Sequence, residues 1–319
     1  MNAYSLYSGN KKGKNMSDNP YYVPGAPEDL KKDHIVRAEG LGGLVKCLAV
    51  STRTVCETAR VMHQMSPAAT AALGRFMTGS ILISESMKNP SDTQTAIIRG
   101  NGPLEGMTCV TDYGFKVRAY PVEPVIPTEY HKPGKINVGA AVGSGSLTVI
   151  RDIGLKEPYV GVSELVSGEI AEDFAYYLAK SEQTKSIVSL GVLLEGGKVS
   201  EAGGLMIQLL PGAGENEISY LEKRASGFPE ISFLLSEGFS PAQIIDLFMG
   251  DPDLKYLDGQ EVEFKCNCSR ERMLSGLAAL SKNDLEEIIK DGKPVETVCR
   301  FCNSKYVFET AELENIGKN

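Results

Sequence analysis

Long apolar runs are missing from this sequence of 319 residues, and no stretch approaches the roughly 18 consecutive apolar residues that a membrane-spanning helix requires. The opening MNAYSLYSGNKKGK has no apolar run behind its lysines, so the pattern of a secretory signal peptide is absent as well. The expectation is a cytoplasmic chain with no membrane partner. Positive charge is also in short supply: 33 Lys and Arg stand against 41 Asp and Glu, net −8, a balance poorly suited to neutralising phosphates. Nucleic acid is therefore not expected as a partner. Histidine is scarce. His34, His63 and His131 are the only three, none is expected near a cysteine knuckle or in a catalytic setting, and all three are read as structural. Gly139, Gly143 and Gly145 in GAAVGSGSL lack the Lys-Ser/Thr of a phosphate loop and the spacing of a dinucleotide fingerprint, and are read as turn and strand glycines. No Ser/His/Asp or paired-carboxylate arrangement stands out, so the chain is not expected to be an enzyme. Internal repeats are absent.

What is present is a globular composition, 42% apolar and 23% charged, with a length sufficient for roughly two average domains. Seven cysteines in a cytosolic chain are kept reduced, so a close cluster of them points to metal or redox chemistry before structural disulfides. Four form such a cluster: Cys266 and Cys268 in FKCNCSRER, and Cys299 and Cys302 in VCRFCNSKY, a C-x-C and a C-x-x-C separated by thirty residues. Cys47, Cys56 and Cys109 are scattered in apolar segments, where free cysteine behaves as a small hydrophobe.

Along the chain the character changes three times. Residues 1–32, rich in Asn, Gly, Lys, Ser and Pro, read as a disordered leader, with Met16 as an alternative start. Residues 33–212 read as an α+β core domain. HIVRAE and LVKCLAVS form strands joined through GLGG, Thr52 to Gln64 is helical, and Ser66-Pro67 opens a buried apolar helix. Short strands follow in TAIIRG, MTCVTDYG, KVRAYPVE, SLTVIRD and YVGVSEL. Ser167 then opens an amphipathic helix over SGEIAEDFAYYLAKSEQ, before the strands IVSLGVLLEG and GLMIQLLP. Hairpin-like runs of strands argue against a doubly wound parallel sheet.

Residues 213–258 carry nine acidic and three basic residues, yet their apolar residues recur at helical spacing, and Ser240-Pro-Ala-Gln243 has the capping-box form. This is a helical acidic linker, stable only through packing. Residues 259–319 form a small cysteine-bearing domain of nearly balanced charge. Between its two cysteine pairs, SRERMLSGLAAL and SKNDLEEIIKD read as helices, the second with a Ser281-x-x-Asp284 capping box, while CRFC lies between strand-like segments.

Four thiolates from two short loops match the tetrahedral preference of zinc, with a rubredoxin-like iron site or resting disulfides as the other possibilities. A tail with little core of its own would draw its stability from the metal, whose apparent binding energy in small structural sites is on the order of 10–16 kcal/mol. The site is either a structural knuckle or a switch. Arg270, Arg272, Arg300 and Lys305 would favour thiolate charge, and within each pair a sulfenic acid on one sulfur can condense with its neighbour. Phe228, Ile231, Phe233, Leu234, Ile244, Leu247 and Phe248 in the linker read as ordinary core residues of a helical connector. Two function classes follow from these residues: a zinc-stabilised nucleic-acid or protein-interaction module, and a thiol oxidoreductase. The last usually places C-x-x-C at a helix start beside a βαβ pattern, which CRFC does not share.

The spacing of the cysteines, together with VSGEIAEDFAYYLAKSEQT, GGLMIQLLPGA and SPAATAALGR, resembles the redox-regulated 33-kilodalton heat-shock chaperone family over residues 33 to 313. The resemblance implies an ATP-independent holdase that is inactive, monomeric and zinc-bound when reduced. Oxidation in that family forms two disulfides, releases zinc, unfolds tail and linker, and yields a homodimer that holds unfolding client proteins, which on this sequence implies client binding through Phe228, Ile231, Phe233, Leu234, Ile244, Leu247 and Phe248 of the opened linker. Carried onto this sequence, the zinc ligands are Cys266, Cys268, Cys299 and Cys302, and the implied disulfides are Cys266–Cys268 and Cys299–Cys302. The leader departs from the family pattern.

Overall fold

A computed structural model describes residues 23–25, 27, 29 and 31–316. Most of the segment read as a leader lies outside the described residues. Two antiparallel strands, β1 (His34–Gly40) and β2 (Val45–Ser51), are joined by one 3-10 turn over Leu41–Gly43. Helix α1 (Arg53–His63) has no local cap. Instead the buried Asp33 carboxylate accepts the Val55 amide at 2.7 Å, so the residue before β1 satisfies the helix that follows β2. Helix α2 (Pro67–Ile83) starts with Pro in its first turn, as the sequence indicates. The Ser66 hydroxyl does not cap it and accepts from the Ile126 amide at 3.1 Å. From Ala68 to Ile83 every residue of α2 is buried except Arg75, which is paired with Glu169 at 2.6 Å.

A helix apolar all round must be covered all round, and two sheets do so. After α2 come β3 (Thr93–Gly100), β4 (Gly106–Asp112), β5 (Lys116–Pro121), the short pair β6 (Tyr130–Lys132) and β7 (Lys135–Ile136), α3 (Val138–Val142), β8 (Gly145–Asp152) and β9 (Tyr159–Glu164). Helix α4 (Ala171–Ser181) leads to β10 (Ser186–Glu195) and β11 (Lys198–Leu209), and the linker supplies α5 (Glu215–Ala225), α6 (Ile231–Ser236) and α7 (Pro241–Met249). Then follow β12 (Lys255–Glu261), β13 (Glu263–Phe264), α8 (Arg270–Ala278), α9 (Lys282–Asp291), β14 (Val295–Val298), β15 (Lys305–Phe308) and α10 (Thr310–Ile316). One sheet has the order β10-β11-β2-β1-β12 and the other β13-β5-β4-β3-β8-β9. The fold is α+β.

Alternation along β1 and β2 sorts their side chains between two cores. Ile35, Leu48 and Val50 face α1 and α2, whereas Val36, Ala38, Val45, Cys47 and Ala49 face the linker helices, where Leu221, Ile231, Leu234, Ile244, Ile245 and Phe248 cover them. A sheet covered on both faces explains why LVKCLAVS reads as a nearly continuous apolar run. The linker is thus part of the core in this state. Its helices are also tied to one another: Arg224 donates to the Phe248 and Leu247 carbonyls at 2.5 Å, where α7 ends in open carbonyls. The Phe228 and Phe248 rings meet edge to face at 4.9 Å. The Ser240–Gln243 capping box closes as expected, with both hydrogen bonds formed.

One expected helix start moves. Helix α4 begins at Ala171 rather than Ser167, because the Asp173 carboxylate accepts the amides of Val166, Ser167, Gly168 and Ile170, with Ile170 held at φ +75°. A buried carboxylate that satisfies four amides outcompetes one serine hydroxyl. Among the described residues no helix is long and apolar enough to cross a membrane.

Candidate metal centre

Strand β12 carries the chain from the linker across β1 to the second sheet, where Lys265 donates its amide to the Val117 carbonyl at 2.8 Å. Cys266 and Cys268 follow on the loop that Ser269 closes by capping α8. The other half-site is the turn between β14 and β15. There Asn303 donates its amide to the Cys299 carbonyl at 2.7 Å and takes φ +55°, a left-handed conformation that asparagine tolerates better than most residues. The two half-sites bring all four sulfurs within 4.8 Å of one another, with Cys266 and Cys299 at 3.7 Å and Cys268 and Cys302 at 3.3 Å. A tetrahedral zinc with bonds of about 2.3 Å places its sulfurs about 3.8 Å apart. The donor set is therefore right in number, type and spacing for a metal ion.

Cys299 is buried and the other three are half-buried. Burial pushes the Cys266 thiol well up, and Cys299 in the same direction. Burial also opposes ionisation of Cys302, but hydrogen bonds from the Ser304 hydroxyl and amide, and from Cys268 and Cys266, bring it down to about 7. The Tyr306 hydroxyl lies 3.1 Å from Cys268 Sγ, and that hydrogen bond raises its own pKa to about 12. Three of the four basic residues expected to support thiolate charge have other partners. Arg270 pairs with Glu312 at 2.8 Å and lies over the Phe308 ring, Lys305 pairs with Glu296, and Arg272 donates to the Asn267 carbonyl.

The tail's own core is small, built from Leu277, Leu285, Phe308 and Leu313 with a few partly buried neighbours. Its second anchor is the main domain. Phe301, between the two distal cysteines, packs edge to face on Tyr120 at 5.1 Å and under the Arg118 guanidinium at 5.5 Å. Asn303 donates from its side chain to the Met62 carbonyl and lies 3.5 Å from His63 Nδ1. His63 is therefore beside the distal knuckle, against the sequence expectation, because the fold returns the tail to the end of α1. Burial lowers its pKa, and the ring faces the Ala119 carbonyl at 3.0 Å. Phe301, Asn303, Ser304 and Tyr306 were not singled out from sequence. The one available signal was an aromatic residue inside an otherwise polar C-R-F-C turn.

The linker candidates are placed unevenly. Ile231, Leu234, Ile244 and Phe248 are buried against the sheet, Phe228 and Leu247 are partly buried, and Phe233 is 47% exposed. Cys47, Cys56 and Cys109 are all buried, Cys47 beneath the linker and the other two beside α2.

The profile of the family described as Hsp33 protein matches residues 33–309. Relatives named 33 kDa chaperonin include one from Ruminiclostridium cellulolyticum, 44% identical over 286 residues that cover 90% of this chain and 98% of the relative. One from Clostridioides difficile is 43% identical over 288 residues, 90% of this chain and 99% of the relative. The crystal structure of the 33 kDa chaperonin (heat shock protein 33 homolog) from Thermotoga maritima is similar with a TM-score of 0.82 at 36% identity, covering 90% of this chain and 98% of that one.

Proposed function

The chain belongs to the Hsp33 family of 33 kDa chaperonins, and from that premise we propose that it is a redox-regulated, ATP-independent holdase of the cytoplasm rather than an enzyme. The observation that carries the reading is the double use of one knuckle. Cys299 and Cys302 complete the four-sulfur site, and Phe301 and Asn303 between and beside them dock the tail on the main domain. Chemistry at the sulfurs therefore acts directly on the tail's attachment.

In the reduced state the four cysteines hold zinc. Held by Cys266, Cys268, Cys299 and Cys302, a zinc ion would favour their thiolate forms, and the four residues would knit the two half-sites into one small fold. Oxidation uses peroxide. One sulfur of a pair attacks the peroxide oxygen to give a sulfenic acid and hydroxide, and its neighbour displaces a second hydroxide as the disulfide closes. Two thiols and one peroxide thus yield one disulfide and two waters. The pairs proposed are Cys266–Cys268 and Cys299–Cys302. With both disulfides formed, no thiolate ligand is left at the site. The knuckle relaxes, Phe301 leaves Tyr120, and the linker loses support at its C-terminal end.

Client proteins would then meet Phe228, Ile231, Phe233, Leu234, Ile244, Leu247 and Phe248, apolar groups flanked by acids that keep the opened segment soluble. The protein is proposed to be monomeric when reduced and a homodimer when oxidised. The test is light scattering from a thermally unfolding client, with zinc release followed in the same samples. Suppression that appears only after peroxide, together with loss of one zinc per chain, is expected. Equal suppression by the reduced zinc-loaded protein overturns the reading.

A further inference from the structure

Strand β12 is the last strand of its sheet, and its Gly259 sits opposite Val36 of β1. An outermost strand leaves a row of backbone groups facing outward. Here the row is partly filled by the residues that precede the core domain: Gly259 donates its amide to the Pro24 carbonyl at 2.7 Å. Gly25 lies so close that a Cβ there would come within 2.4 Å of the Gly259 carbonyl oxygen, and its φ of +83° also favours glycine. Val23 is 2% exposed and belongs to the apolar cluster shared by the linker helices and the sheet. The nearby Lys32–Glu261 ion pair has both side chains 54% exposed and contributes little. The hold comes from Val23 and the backbone.

We infer that residues 23–25 form a clasp that keeps β12 and the linker helices closed on the sheet, and so raises the oxidation needed to open the protein. The clasp precedes the region matched by the family profile, which begins at residue 33. It grips β12, the strand through which the linker is joined to the metal-binding tail. For linker and tail to leave the sheet together, β12 must separate from β1, and the clasp must let go of Gly259. Val23 adds a second grip by filling the linker's core, so the clasp and the linker helices open as one unit. This regulatory consequence rests on the reading of the linker as the segment that opens.

Two variants test it, Val23→Asp, which places a charge in the shared core, and Gly25→Val, which cannot approach Gly259. Asp29→Ala on the exposed side of the same segment is the control. Both are compared with the parent in the reduced, zinc-loaded full chain, by hydrogen exchange at Gly259 and across α5 to α7 and by mass-spectrometric alkylation of Cys47. The expected result is exchange and Cys47 labelling at least about ten-fold faster, on the scale of one buried valine and one hydrogen bond, with zinc content unchanged and a lower peroxide dose for client protection. Unchanged exchange and labelling in both variants overturn the clasp. Faster exchange with an unchanged peroxide dose retains the clasp as a physical hold and overturns linker opening as the limiting step. Val23→Ala, a milder truncation, gives the same readout in the same direction should Val23→Asp not fold.

Discussion

The side-chain amide of Asn303 donates to the Met62 carbonyl at 2.7 Å, so the residue after the fourth cysteine is bonded to the last turn of α1. The first turn of that helix is held by Asp33, whose carbonyl in turn accepts the Val262 amide at 2.9 Å. Tail and main domain are thus joined at both ends of one helix, and only one of these joints lies beside the four clustered sulfurs.

The joint beside the sulfurs gives the first expectation. Cys→Ser at position 266, 268, 299 or 302 should each abolish stoichiometric zinc binding, whereas Cys109→Ser should not. With its few core residues, the tail should lose structure along with the metal, since zinc contributes on the order of 10–16 kcal/mol in such sites. Zinc titration with a colorimetric chelator, followed by limited proteolysis, checks both outcomes.

Docking can be separated from metal binding. Phe301→Ala removes the contact with Tyr120 and the one with Arg118, together about 1–2 kcal/mol. Asn303→Ala removes a hydrogen bond of about 1 kcal/mol. Each variant should keep one zinc per chain yet show faster hydrogen exchange at the Lys265 and Cys299 amides, and a lower peroxide dose for client protection.

Burial separates two linker phenylalanines. Phe248 is 1% exposed, so Phe248→Ala should destabilise the closed linker by about 3–5 kcal/mol and give client protection without oxidant. Phe233 is 47% exposed, and Phe233→Ala should change stability by less than about 0.5 kcal/mol. Urea titrations of both variants, each paired with an aggregation assay, measure the contrast.

Cys47 reports on the same opening. Burial, with Asp251 nearby, pushes its thiol up to about 12, and it lies on the linker side of the sheet. After peroxide treatment, alkylation of Cys47 should accelerate by orders of magnitude while Cys56 and Cys109, on the α2 side, remain protected. Equal acceleration at all three would mean that the whole main domain unfolds.

Asp33 predicts a pH dependence. Burial raises its pKa from 3.8 to about 6, against hydrogen bonds from amides at the start of α1, and its Oδ1 has no partner. The folded state therefore favours the protonated acid. Its contribution is fully present below pH 3.8 and is lost as pH rises through 6, a change of about 3 kcal/mol. Asp33→Asn should gain stability relative to the parent over that interval, measured as the difference between their urea midpoints at pH 4 and pH 7.

Much of this was legible in the residues themselves. The capping box at Ser240, the serine cap at Ser281 (where Asp284 meets the hydroxyl rather than the Ser281 amide), the proline in the first turn of α2 and the two-sided apolar run of β2 are local signals, and local physics decides them. The paired cysteines were legible for the same reason, since metal spacing is written in consecutive residues. What could not be read was long-range. Asp173 displaced Ser167 because it gathers four amides that only the folded loop brings together. His63 meets Asn303 across 240 positions of sequence. Strand β12 runs from the acidic linker into the cysteine-bearing tail, where composition suggested a division, because its partner β1 lies at the far end of the main domain.

That pairing bears on how the protein is made. Arg37 and Asp258 are ion-paired across 221 positions, and loops of such length close late in folding. Strands β1, β2 and β11 are complete before the ribosome has synthesised the linker helices, so the sheet face holding Val36, Val45 and Cys47 spends part of every synthesis uncovered. Each newborn molecule passes through an arrangement with its linker not yet seated, and the resting form is reached only when β12 arrives to pair with β1.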